Sequence, residues 1–165
     1  MINPSDKIMP ITDLPVGLKH DAWGRRVLTN GCFDMIHRGH AEYLYEASKL
    51  GDSLIVLLNS DSSIQRLKGG NRPVYNQDNR AYVLASFACV DAVIIFDSER
   101  CPNEILRIRP DVYVKGGDYC MDNIDIDEKA ALMEVGARMV FIPVRTDIST
   151  SKLLEKLNTC RSRDP

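Results

Sequence analysis

The chain has 165 residues, 44% of them hydrophobic and 27% charged, which is the composition of an ordinary globular protein. That length fits one domain able to bury a core without disulfide staples. With 21 basic against 23 acidic residues and a net charge of −2, nothing marks it as a nucleic-acid or membrane-surface binder, and no apolar run reaches the length of a membrane span.

The first ten residues lack the basic-then-apolar pattern of a secretion signal. Cys32, Cys89, Cys101, Cys120 and Cys160 are odd in number and irregularly spaced. Both observations point to reduced thiols and a cytoplasmic location. Residues 1–25, punctuated by Pro4, Pro10, Pro15, Gly17 and Gly24, read as an irregular leader with a short helical turn, packed on the domain or exchanged with a partner. The short apolar run 26–29 reads as a buried strand. The segment from 40 to 50 has helical spacing, with Gly51 as its C-cap.

The continuous aliphatic run 54–58 is a second buried strand. Asp61 can cap a short helix through Leu67. Residues 68–73 form the clearest loop, with the cations Arg66, Lys68 and Arg72 around two glycines. This is either a solvated turn or a flap that folds its charges over a polyphosphate. Residues 77–90 read as a helix with Val83, Leu84, Phe87 and Ala88 inward. Arg80 lies near its start, against the helix dipole, which hints at an anionic partner or a surface arginine.

A strand at 92–96, a helix at 103–109 stopped by Pro110, and a strand at 112–114 follow. A helix at 126–135 capped by Gly136 and a strand at 139–142 come next. A last helix starts at Ser149, Thr150 and Ser151 and runs to 157, before a frayed tail at 159–165. The alternation predicts a single Rossmann-like, doubly wound α/β domain over 26–158 with a five-stranded, mostly parallel sheet.

The stretch from Thr29 to His40 joins the first strand to the first helix, where open α/β sheets bind ligands. It holds two of the chain's three histidines, His37 and His40, at i and i+3. That spacing at a helix start turns both imidazoles, with the free amides of the helix, toward one anion. The same residues also allow a plain strand-turn-helix, with Gly31 needed only for its backbone and the histidines placed on the surface and in the core. Zinc would need ligands beyond Cys32 and this pair, and no Cys-x-x-Cys or second His pair completes a set.

Two helix N-termini, two histidines and several cations exceed what one phosphate needs. They suit a nucleoside triphosphate with a second phosphorylated substrate. Cys32 with a histidine lacks an orienting third group, so no activated nucleophile is evident. A phosphomonoester acceptor, with a second pKa of about 6, needs no general base. Positioning and charge stabilisation then suffice.

Gly31-x-Phe33-Asp34 followed by His37-Arg38-Gly39-His40 resembles the signature of the cytidylyltransferase-like nucleotidyltransferase superfamily, and Ile148-Ser149-Thr150-Ser151 resembles its closing motif. Asn59-Ser60-Asp61, Arg66-Leu67-Lys68-Gly69, Arg72-Pro73-Val74, Asp78-x-Arg80 and Lys115-Gly116-Gly117-Asp118-Tyr119 are similar to the D-glycero-β-D-manno-heptose 1-phosphate adenylyltransferase branch. The resemblance covers about 27–157.

It implies transfer of AMP from ATP to a sugar 1-phosphate, forming ADP-heptose for cell-surface glycan synthesis and releasing pyrophosphate. Mg2+ would be carried in by the triphosphate rather than held in a protein cage, and the protein would be a homodimer or larger. By the same resemblance His37, His40 and Lys68 are catalytic. Asn30, Gly31, Cys32, Phe33, Gly39, His40, Lys115, Gly117, Asp118, Ser149, Thr150 and Ser151 bind the nucleotide. Asp34, Arg72, Arg80 and Arg145 bind the acceptor.

Three departures bear on the acceptor. Cys32 stands where the family has Val or Thr, the stretch 121–129 is atypical, and Arg145-Thr146-Asp147-Ile148 is closer to glycerol-3-phosphate cytidylyltransferase. A cytidylyltransferase acting on a polyol phosphate and a non-catalytic nucleotide sensor are the alternatives. ATP is expected over CTP. The cytidylyltransferases carry a Trp in the loop that here reads Gly116-Gly117-Asp118-Tyr119, and the only Trp here is Trp23.

Overall fold

The computed structural model describes residues 2–15, 22–117 and 119–143. Five strands, β1 (Arg26–Gly31), β2 (Ser53–Asn59), β3 (Ala92–Phe96), β4 (Val112–Gly116) and β5 (Arg138–Ile142), form one sheet in the order β3-β2-β1-β4-β5. Every pairing is parallel, so the expected "mostly parallel" sheet is wholly so. Five α-helices connect them: α1 (Arg38–Ser48), α2 (Asp61–Lys68), α3 (Gln77–Ala85), α4 (Pro102–Ile108) and α5 (Ile126–Val135). The chain steps outward from β1 to β3, then returns to the other side of β1 with β4. This reversal between β1 and β4 opens a crevice at their carboxyl ends.

Strand periodicity divides the core in two. Val27, Leu54, Val56 and Val114 face one way, toward Leu44 and Ala47 of α1 and Leu84 of α3. Leu28, Ile55, Leu57 and Tyr113 face the other, toward Ile105 of α4 and Leu132 of α5. β2 is buried along its whole length, as its uninterrupted aliphatic run requires between two helical layers. No helix among the described residues is long and apolar enough to cross a membrane.

The leader packs on its own domain. It forms two 3-10 turns, Pro4–Lys7 and Ile11–Asp13. Ile8 bridges to Val93 of β3, and the Met9 N–H donates to the Val93 carbonyl at 3.1 Å. Lys7 Nζ donates to the carbonyls of Phe87 (3.2 Å) and Val90 (2.7 Å).

Several local expectations are corrected. α1 ends at Ser48 with Lys49 as its C-cap, before Gly51. Gly51 serves close approach instead, since a Cβ there would sit 2.4 Å from the Arg25 carbonyl. Ser60, not Asp61, caps α2, through its hydroxyl and the Ser63 N–H. α3 stops at Ala85, where the Ser86 amide closes the last turn, and the chain bends toward β3. Val83 and Ala88 are therefore exposed, while Leu84 is buried and Phe87 half-buried. Gly136 caps α5 in the left-handed conformation (φ 71°) as its position implies. The helix expected through 157 and the tail lie outside the described residues.

Candidate active site

The turn after β1 is built around one unusual backbone conformation and one closely packed glycine. Phe33 has φ 42°, a left-handed conformation costly for a bulky side chain. Its buried ring lies against Gly31, where a Cβ would meet a ring carbon at 3.0 Å. The ring then meets His40, centroids 5.4 Å apart, and His40 lies 4.1 Å from the His37 ring.

His37 is the N-cap of α1, and its Nδ1 accepts the Gly39 N–H at 3.1 Å. His40 Nδ1 accepts the His37 N–H in a longer contact of 3.4 Å. A neutral imidazole that accepts at Nδ1 carries its proton on Nε2. Burial, then the positive potential of His37 and Lys68, pushes the His40 pKa down to about 4, and burial lowers that of His37. At neutral pH both rings are thus neutral Nε2–H donors. The amides expected to face an anion at this helix start are instead partly used by the ring nitrogens, so the imidazoles carry donors outward in their place.

Asp34 is buried beneath the following loop. Its Oδ1 accepts the Val74 and Tyr75 amides at 2.7 and 3.3 Å. Its Oδ2 lies 3.1 Å from Arg72 Nε, without the alignment of a hydrogen bond, and Arg72 Nη1 is buried with no hydrogen-bond partner. The two expected acceptor-binding residues therefore face each other. Arg80, placed in the same group from sequence, is 1% exposed. Its guanidinium donates to the carbonyls of Tyr75 (2.9 Å), Cys32 (2.7 Å) and Asn59 (2.9 Å) and to Asp61 Oδ1 (2.7 Å). So Arg80 ties the histidine turn to the ends of β2 and α2. Phe33, Asp34, Ile36, Tyr75, Tyr82 and Val83 border an open, mostly apolar cleft of about 440 Å³.

Of the loop cations, Arg66 is drawn away to the Asp97 carbonyl and to Glu99. Lys68 ends α2, exposed and close enough to His40 to oppose its protonation. Gly69 has φ 91°, and a Cβ on Gly69 or Gly70 would meet nothing within 4 Å.

Across the crevice, Asn30 and Lys115 approach a buried carboxylate that sequence reasoning missed, Glu128 of α5. Tyr113 and Cys101 complete the cluster. In sequence Glu128 looks like an ordinary acidic residue favoured by a helix N-terminus, and only the packing of α5 on α4 reveals its burial. Cys32 contributes its carbonyl to Arg80, and its thiol sits 3.9 Å from Asn59 Oδ1. Gly39 is buried in the first turn of α1, and Gly117 is exposed with φ 78°. Asp118, Arg145, Ser149, Thr150 and Ser151 lie outside the described residues.

A family model described as cytidylyltransferase-like matches residues 28–156. The chain is 42% identical over 158 residues to the bifunctional protein HldE of Helicobacter pylori strain G27, and 47% identical over 133 residues to that of Koribacter versatilis. These matches cover 93% and 80% of the chain but 32% and 27% of the relatives, so it spans under a third of their length. Among solved structures it is similar to the lipopolysaccharide core biosynthesis protein of Thermoplasma volcanium (TM-score 0.60, 26% identity, 75% of this chain and 98% of that one). A pantothenate synthetase of Thermus thermophilus shares the fold alone (TM-score 0.52, 12% identity, 90% of this chain and 70% of that one).

Proposed function

Because the chain belongs to the cytidylyltransferase-like family and is a nucleotidyltransferase, we propose that it transfers AMP from ATP to D-glycero-β-D-manno-heptose 1-phosphate. An oxygen of the acceptor phosphate bonds to the α-phosphorus, the bond to the bridging oxygen of the β-phosphate breaks, and pyrophosphate leaves. The acceptor oxygen is already ionised near neutral pH, so no side chain need remove a proton. The observation that carries the proposal is the pair of neutral imidazoles, each fixed at Nδ1 by a backbone amide and each left with an Nε2–H to donate. Such donors strengthen as charge builds on the phosphate oxygens and cost no reorganisation.

Lys68, at the end of α2 and near His40, supplies charge for the leaving pyrophosphate, and the loop that starts at Gly69 closes over it. Magnesium enters bound to the triphosphate. Among the described residues no cluster of three or more His, Cys, Asp or Glu side chains is arranged to hold a metal. Asp34 borders the apolar cleft beside the turn, which we assign to the acceptor, and Arg72 faces that site through its ion pair with Asp34. Arg80 acts as the anchor of the turn. Asn30 and Lys115 line the nucleotide side, with Asp118, Ser149, Thr150 and Ser151 assigned there by family resemblance.

The test is pyrophosphate release from ATP and CTP, each with heptose 1-phosphate and glycerol 3-phosphate. The expected result is the highest kcat/KM for ATP with the heptose. Preference for CTP with glycerol 3-phosphate would make it a polyol-phosphate cytidylyltransferase. Binding without release for any pair would make it a nucleotide sensor.

A further inference from the structure

Glu128 is 2% exposed. Placing a carboxylate there carries a desolvation penalty, and an apolar side chain would fill the space between α4 and α5 without it. Its hydrogen bonds show where the charge goes. Oε1 receives the Cys101 N–H (3.2 Å), the Cys101 thiol (3.3 Å) and Asn30 Nδ2 (3.3 Å). Oε2 lies 3.1 Å from the Tyr113 hydroxyl and 3.7 Å from Lys115 Nζ. Tyr113 has one proton for two acceptors, and Asn30 Oδ1 is the nearer at 2.8 Å. The phenol shares that proton between them, so Oε2 faces both the Tyr113 hydroxyl and the Lys115 ammonium.

Lys115 in turn is 9% exposed, and its ammonium sits 4.8 Å from the Tyr119 ring and 5.6 Å from the Tyr113 ring. The ion pair is longer than a hydrogen bond. It orients the ammonium at the mouth of the β1/β4 crevice and leaves its N–H groups available to an anion.

We propose that Glu128 is a positioning residue for nucleotide binding, whose second oxygen holds Lys115 at the crevice while its first holds Asn30 at the root of the histidine turn. The inference rests on the function proposed above and adds a residue from the opposite face of the sheet. Glu128→Gln separates the two tasks. Its amide oxygen can take the three donors at Oε1. Its NH2 can donate to the Tyr113 oxygen while that hydroxyl donates to Asn30, so the polar contacts are kept and the negative charge facing Lys115 is lost.

The experiment is calorimetric titration of MgATP, without acceptor, into wild type, Glu128→Gln, Lys115→Met and the double variant. With Lys115 in place, Glu128→Gln should weaken binding about tenfold, the scale of losing one charge-assisted contact. In the Lys115→Met background the same change should alter binding by less than about twofold, the non-additivity of residues that act through each other. A packing role predicts equal factors in both backgrounds, and equal factors overturn the proposal. Should Glu128→Gln melt early, Glu128→Asp, which keeps the charge but withdraws it by one methylene, must show the same dependence on Lys115. Intact, coupled MgATP binding with no adenylyl transfer to heptose 1-phosphate would sink the acceptor assignment alone. Wild type that binds neither ATP nor CTP would sink both.

Discussion

A histidine that must donate to a phosphate while neutral needs its tautomer fixed, and here the backbone of the same turn fixes both. His40→Ala should lower kcat by about 10²–10³, the cost of one preorganised oxyanion donor, with a smaller change in triphosphate binding. Steady-state kinetics set against MgATP titration checks this. The same residue ties stability to pH. The folded protein holds the His40 pKa near 4 against 6.5 for an unperturbed histidine, so between those values the unfolded chain binds the extra proton. Stability from this group is complete above about pH 6.5 and is lost as pH falls toward 4. The stability gap between wild type and His40→Ala, measured by urea denaturation, should therefore narrow from pH 7.5 to 5. The histidine pair was legible in sequence because helix spacing fixes which side chains converge. Arg80 was legible as a cation set against a helix dipole, but its four acceptors come from three different segments. Only the fold brings those together, as it does the partners of Glu128.

The loop between α2 and α3 is held unevenly. From Arg72 to Tyr75 it is fastened to Asp34 by two amides and an ion pair, whereas Gly69 and Gly70 touch nothing with the space a Cβ would fill. Apart from the backbone bonds of Gly69 to Gln65 and Arg72, residues 69–70 are the open part of the loop. Limited proteolysis should nick near Gly69-Gly70 in the free protein and slow when MgATP is bound, and Lys68→Ala should abolish that protection while weakening triphosphate binding. Equal nicking rates with and without MgATP would count against closure. The glycines and cations marked this loop in sequence, but Asp34 as its fastening did not show, being forty residues from Val74. Element ends were the least legible feature. α3 stops at Ala85 although apolar residues continue to Val90, because the residues after it leave the helix to lead into β3. Gly51 carries the usual mark of a helix terminus but sits where two backbones nearly touch.

At the scale of the molecule, the order β3-β2-β1-β4-β5 brings residues from β1, α1, α2, β4 and α5 around one crevice. The parallel α/β class was readable from alternation alone. The neighbour relations were not, since periodicity says which face a strand buries but not beside which strand it lies. One such relation is the bridge from Ile8 of the leader to Val93 of β3. β3 is an outer strand of the sheet, and an outer strand with unpaired N–H and C=O groups is a template for other chains. Ile8 and Met9, secured by Lys7, cover part of that outer edge, so loss of the leader would uncover it. Removing residues 1–9 should leave the turnover of freshly prepared enzyme near normal while shortening its shelf life. Light scattering at rising protein concentration would show it, as association that grows with concentration in the truncated protein and is absent from the full chain.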